Sequence, residues 1–216
     1  MAELIHDIDA RVVRDNLARV REEIAATGRD PGDVELLAAV KYVPVEELGA
    51  LAEAGIGLLG ENRAQDLEAK TAAHPGAFTW DFIGHLQSRK VKQVLPHVRL
   101  IHSVASDSVL AQLERHASPD TEVLVEVNLA GEESKSGIEP GELGAFIERA
   151  PVHVVGLMTM PPLAADPEDS RPYFAVLREL AARHGLTRLS MGTSQDYVVA
   201  AEEGATIVRI GTTLYA

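Results

Sequence analysis

Near the N-terminus apolar side chains recur at spacings of three and four. Ile8, Val12, Val13, Leu17, Val20 and Ile24 share one face of a helix, and the pattern stops at Thr27-Gly28. Downstream the rhythm changes to short apolar run, polar turn and helical stretch, repeated to the end. It predicts strands over Glu35–Lys41, Gly57–Gly60, Thr79–Gly84, Arg99–Val104, Glu122–Asn128, His153–Met158, Arg188–Gly192 and Thr206–Gly211. Helices are predicted over Val45–Ala54, Arg63–Ala73, Ser88–Val94, Ser106–His116, Gly141–Glu148, Ser170–Arg183 and Gln195–Glu203. Strands alternating with helices imply a parallel sheet with crossover connections. About eight of them in one chain imply an α/β protein built as a single closed (β/α)8 TIM-type barrel behind an N-terminal helix. An open doubly wound sheet repeats the same unit, usually with fewer strands. No Pro/Ser-rich linker divides residues 1–216, so the expectation is one domain; Pro161–Pro167 fits a βα loop.

The strands end on polar residues. In order these are Lys41, Glu61-Asn62, His85, Ser103, Asn128, Met158 as the one apolar exception, Ser190-Met191-Gly192, and Arg209 with Gly211-Thr212. A barrel brings all such ends to one face, the face that carries active sites. Lys41 leaves the apolar run LLAAV; burial there would lower its pKa and free the amine for Schiff-base chemistry. A lysine with its head in solvent fits the same local pattern equally well. Gly192-Thr193-Ser194 and Gly211-Thr212-Thr213 follow the last two strands, where barrels often bind phosphate, and Ser194 is placed to cap the next helix. Two ordinary glycine turns remain the alternative. Arg209 lies among apolar neighbours and fits either a structural ion pair or a ligand contact.

Composition narrows the chemistry. The 216 residues carry 20 Lys+Arg against 33 Asp+Glu, a net charge of −13, which argues against a sequence-independent grip on nucleic acid. Cys is absent, so no disulfide or thiolate site exists. The acidic start is no signal peptide, and runs such as Leu36–Val40 are far too short to span a membrane; the expectation is a soluble, cytoplasmic protein. The eight histidines lack ligand spacing, so no metal is expected. Gly131–Gly137 has Gly, Lys and Ser in the wrong order for a P-loop. Trp80, Phe82 and Met191 read as core, and the acids of the first helix as a solvated face. No apolar stripe marks an interface, so the expected state is a monomer.

Segments distributed along the whole chain resemble one family. VKYVP around Lys41, GENRAQ at Gly60–Gln65, FIGHLQSRK at Phe82–Lys90, IHSV at Ile101–Val104, VNLAGEESKSGI at Val127–Ile138, GLMTM at Gly156–Met160, LSMGTSQD at Leu189–Asp196 and VRIGT at Val208–Thr212 are similar to the pyridoxal phosphate homeostasis proteins (YggS/PROSC). The resemblance implies a barrel like the N-terminal domain of alanine racemase, with pyridoxal 5′-phosphate (PLP) held as an internal aldimine. Carried over by position, Lys41 is the Schiff-base lysine, Ser190, Gly192, Ser194, Gly211 and Thr212 surround the phosphate, and Arg209 faces the pyridine nitrogen. Asn62, His85, Ser103, Asn128 and Met158 line the same mouth, and Lys135 is a candidate for receiving or handing on PLP. Three positions depart from the commonest family pattern: Val40-Lys41-Tyr42 for Ser-Lys-Thr, Asp81 for a His before FIG, and Thr193 in SMGTS.

Three functions compete. One is a PLP carrier that maintains intracellular PLP homeostasis, passing the cofactor to acceptor apoenzymes by transimination without established turnover. The chain ends soon after its eighth strand, so no second domain is expected to close the pocket or supply a facing tyrosine. The second is a PLP-dependent racemase-type enzyme, which needs a second acid–base group from His85 or Tyr42. The third is a Schiff-base aldolase without PLP.

Overall fold

The computed structural model describes residues 4–131 and 136–215. Among them eight strands pair in parallel, each with its sequence neighbours, and the last closes on the first. They are β1 (Glu35–Ala39), β2 (Leu58–Glu61), β3 (Thr79–Phe82), β4 (Leu100–Val104), β5 (Glu122–Glu126), β6 (His153–Met158), β7 (Arg188–Thr193) and β8 (Ile207–Ile210). The helices are α1 (Ala10–Ala26), α2 (Leu48–Glu53), α3 (Ala64–Ala73), α4 (Val91–Val94), α5 (Asp107–His116), α6 (Leu143–Glu148), α7 (Arg171–Arg183), α8 (Tyr197–Glu202) and α9 (Thr212–Tyr215). The closed barrel removes the open doubly wound alternative: β8 pairs β1 from Glu35↔Ile207 to Ala38↔Ile210.

Strand alternation sorts side chains into two cores. Outward residues such as Leu59, Phe82, Ile101, Val125, Met191 and Val208 pack against the helices, while Leu37, Leu100, Leu124, Met158 and Ile207 form a separate inner cluster. Burying a side chain of that size contributes roughly 1.5–3 kcal/mol, so both layers stabilise the closed form over any opened sheet.

The first helix is shorter than its sequence pattern. Asp9 caps it by accepting the Arg11 N–H, so Ile8 lies outside it, and Val12 is 41% exposed. Val13, Leu17, Val20 and Ile24 carry the buried face. Nor is its acidic face wholly solvated, because Glu23 accepts a hydrogen bond from the Tyr197 hydroxyl. The short α9 has no counterpart in the sequence pattern; the Asn16 amide on α1 donates to the Leu214 carbonyl at 3.2 Å. Trp80, Phe82 and Met191 are buried as expected. No described helix is long and apolar enough to cross a membrane.

Candidate functional site

Parity decides which polar residues enter the barrel. Asp81 sits between Trp80 and Phe82, His102 follows Ile101, Ser190 lies between Leu189 and Met191, and Arg209 between Val208 and Ile210; all those flanking residues belong to the outer core. The four polar side chains therefore point inward, and they meet. Arg209 donates through Nη1 to Ser190 Oγ at 2.5 Å, Ser190 Oγ lies 2.8 Å from His102 Nδ1, and His102 Nε2 lies 3.1 Å from Asp81 Oδ2. Asp81 also accepts from Arg99 Nη2 at 2.8 Å and Nε at 3.1 Å, and Arg99 reaches Glu35 at the barrel's opposite end.

The charges in this chain are unequal in their compensation. Burial works to raise the Asp81 carboxyl, but hydrogen bonds from His102 and Arg99 outweigh it and hold the group below the usual carboxylate range. Burial pushes the His102 imidazole down, against its bond to Asp81. Arg209 is pushed down to about 10 by burial, with Asp196 and Glu126 opposing at a distance. Its direct partners are neutral: Ser190 Oγ, the Thr159 carbonyl at 3.0 Å and Met160 Sδ at 2.8 Å. No carboxylate among the described residues forms an ion pair with it, so the structural ion pair considered for Arg209 is not formed.

The two glycine turns lie side by side. Gly192 adopts φ +89°, and a Cβ there would stand 2.5 Å from the Cβ of Ala200, so both conformation and space demand glycine. Ser194 Oγ accepts the Gly211 N–H at 3.1 Å, which ties one turn to the other. Ser194 does not cap the following helix: α8 starts at Tyr197, and Asp196 accepts the Thr193 N–H at 2.7 Å instead. Ser190, expected beside the phosphate turns, is fully buried with its hydroxyl committed to His102 and Arg209. Thr212 is exposed at the start of α9.

Of the two readings of Lys41, the structure shows the one with its head in solvent. It lies in the turn after β1, is exposed, and holds Nζ 4.9 Å from the centre of the Tyr42 ring. It shares a groove of about 430 Å³ with Tyr42, Arg63, Asp66 and Lys70. The strand overshoots at this end because β1 stops at Ala39, where the Val40 carbonyl turns to accept from buried Lys70 at 2.7 Å. Lys70 also pairs with fully buried Glu61 at 2.5 Å.

The remaining strand-end residues divide between lining and bracing. Asn62 presents a buried Oδ1 with no hydrogen-bond partner. Ser103 donates to the Gly84 carbonyl at 2.5 Å and so braces the turn carrying His85, while His85 itself is exposed with Nδ1 3.3 Å from Ser136 Oγ. Asn128 is buried and shares a pocket of about 250 Å³ with Glu126, Ser136 and Met160. Burial raises the Glu126 carboxyl above its ordinary value, against a hydrogen bond from Ser136. Met158 packs in the inner cluster below the mouth rather than opening into it. Lys135 lies outside the described residues. A larger pocket, about 660 Å³, sits at the other end of the barrel between Arg21, Glu35 and Arg99 and contains none of the strand-end groups.

Reading the sequence missed Asp81 and His102 as working partners, the Glu61–Lys70 pair, and Glu126. A parity rule applied to β3, β4 and β5 would have flagged Asp81, His102 and Glu126, since each stands where an inward apolar residue belongs. Lys70 carries no such signal, because its partner Glu61 comes from another element.

The barrel has relatives among known proteins. The family model described as alanine racemase, N-terminal domain, matches residues 8–216, which defines the class of the barrel. Pyridoxal phosphate homeostasis proteins of Aquifex aeolicus and Pseudomonas aeruginosa are 41% and 39% identical to it; each alignment covers 92% of this chain, with 93% and 90% of the relatives. The chain belongs to the family of pyridoxal phosphate homeostasis proteins. The solved structure of Synechococcus elongatus PipY with PLP bound is 31% identical, with a TM-score of 0.80 over 94% of this chain and 100% of that one. Lysine decarboxylase from Selenomonas ruminantium, 15% identical over 62% of its own chain with a TM-score of 0.73, shares the fold alone.

Proposed function

We propose that the chain holds PLP at the C-terminal mouth of the barrel and hands it on, as a carrier that maintains PLP homeostasis inside the cell. The observation that carries this reading is Arg209: a buried guanidinium held only by neutral acceptors, at a barrel mouth, keeps donors and positive charge for a ligand. The donor set fits PLP. Tied turns with hydroxyls at Ser194 and Thr212 suit a phosphate, and the unpartnered Asn62 oxygen awaits a donor. Bound PLP supplies an aldehyde that condenses with amines and a ring that withdraws electrons.

Within this reading Lys41 provides the amine. Exposed on a flexible stem at the rim, it is accessible to an incoming acceptor amine, which suits exchange better than water-excluded turnover. Arg209 would hold the ring nitrogen with its N–H donors; a nitrogen that accepts from arginine would stay unprotonated, which would weaken the ring for amino-acid chemistry. Gly192, Ser194, Gly211 and Thr212 would receive the phosphate, and Asn62, His85 and Asn128 would stand around the ring. Ser103 and Ser190 brace residues that line the site, and Met158 floors it. Recipients are apoenzymes with an accessible lysine, and the carrier works as a cytoplasmic monomer.

The test is the visible spectrum of the purified protein before and after borohydride, with peptide mapping. A yellow protein that bleaches and carries a pyridoxyl mass on Lys41 supports the carrier. A colourless protein that added PLP leaves colourless overturns it and revives the aldolase. Exchange of the Cα proton of alanine, lost in Lys41→Ala, would move the reading to a racemase.

A further inference from the structure

A Ser–His–Asp constellation lies inside the barrel. Ser190, His102 and Asp81 are each at most 0% exposed, and the serine oxygen already accepts from Arg209, so no substrate can reach it and nucleophilic use is ruled out. The hydrogen bonds instead run one way. Arg209 can only donate, so Ser190 Oγ accepts from it and turns its own proton to His102 Nδ1. His102 then carries its proton on Nε2, aimed at Asp81, which can only accept.

We propose that Asp81, His102 and Ser190 are positioning residues for Arg209, fixing the orientation of its guanidinium from below without placing a carboxylate directly on it. A carboxylate placed directly on Arg209 would hold it as firmly but would neutralise it. Here the anion stands two residues further back, and its charge is met by Arg99 at 2.8 Å. The charged groups facing His102 are Asp81, Arg99 and Arg209. With burial keeping the imidazole neutral, the relay holds one tautomer throughout the neutral range. This assignment rests on the reading of Arg209 as a cofactor contact for its purpose, but the positioning itself is a property of the free protein.

The experiment has two arms. In cofactor-free, 15N-labelled protein, nuclear magnetic resonance should show His102 as the neutral Nε2–H tautomer at about pH 7.5. It should also show separate Nη1 and Nη2 signals for Arg209, because its rotation is hindered. Ser190→Ala, which deletes one oxygen, should merge those two signals while leaving the far-ultraviolet circular dichroism unchanged; Asp81→Asn should shift the His102 tautomer. In protein mixed with PLP, Ser190→Ala should still be trapped by borohydride on Lys41, with affinity lowered about tenfold and the visible band displaced, because a guanidinium no longer held from below loses much of its own charge-assisted hydrogen bond to the ring. A charged or Nδ1–H His102, or Arg209 signals that Ser190→Ala leaves separate, overturns the proposal. Failure of wild-type protein to take up PLP would sink the carrier reading, and the positioning would then stand or fall on the Arg209 signals alone.

Discussion

Lys70 Nζ lies 2.5 Å from Glu61 Oε2 with both side chains buried, and the same ammonium donates to the carbonyl of Val40, the residue before Lys41. One helix thereby clamps the ends of β1 and β2 directly beneath the lysine turn. Glu61 spends its other oxygen on the N–H groups of Asn62 and Arg63, at 2.6 and 3.2 Å, so the pair also shapes the start of the second loop.

Breaking that pair from one side strands a buried charge. Lys70→Met should cost about 3–5 kcal/mol in urea unfolding. Adding Glu61→Gln should return part of the loss, because the remaining partner is then neutral. Equal losses in single and double variants would contradict the pairing.

Arg209 should show the opposite balance. Its burial disfavours the charge, and Asp196 and Glu126 offset only part of that from a distance. Arg209→Met should leave the cofactor-free protein as stable as wild type, or up to ~2 kcal/mol more stable, by the rule that apolar residues can replace buried charges. PLP affinity should fall about tenfold to a hundredfold, one lost hydrogen bond from a charged donor. Paired melting curves and PLP titrations check both signs.

Acid should find His102 before Asp81. The folded imidazole lies below its ordinary 6.5, so the unfolded chain binds the proton first, and stability falls as pH drops below 6.5 toward the folded value. Asp81, held below 3.8, contributes stability that is complete above that pH and lost as pH falls through its folded value. The stability difference between wild type and His102→Gln should therefore shrink between about pH 7 and 5. A difference flat over that range in urea titrations would contradict a buried neutral histidine.

The phosphate assignment has its own test. Wild-type protein should prefer PLP to pyridoxal, and Ser194→Ala, which releases the Gly211 N–H from its partner and removes a hydroxyl, should narrow that preference by about tenfold. An unchanged preference would place the phosphate elsewhere.

Much of the architecture was legible because it is written locally. The three-and-four spacing of Val13, Leu17, Val20 and Ile24 marks α1, and every strand was located within a few residues. The errors fall at the ends. Lys41 and Asn128 looked like strand residues because the apolar run reaches them, yet the ladder stops earlier, where tertiary hydrogen bonds redirect the backbone.

The residue types and their order determined by themselves that eight strands and their helices repeat, that polar groups end nearly every strand, and which family the motifs resemble. Only the tertiary structure decided what those groups touch. Asp81, His102, Ser190 and Arg209 come from four strands spread over more than half the chain, and closure of the barrel brings their inward faces together. The physical reason is range. Periodicity records which face of an element is buried, whereas a hydrogen bond between distant strands depends on register and parity across the closed sheet, which no local pattern contains.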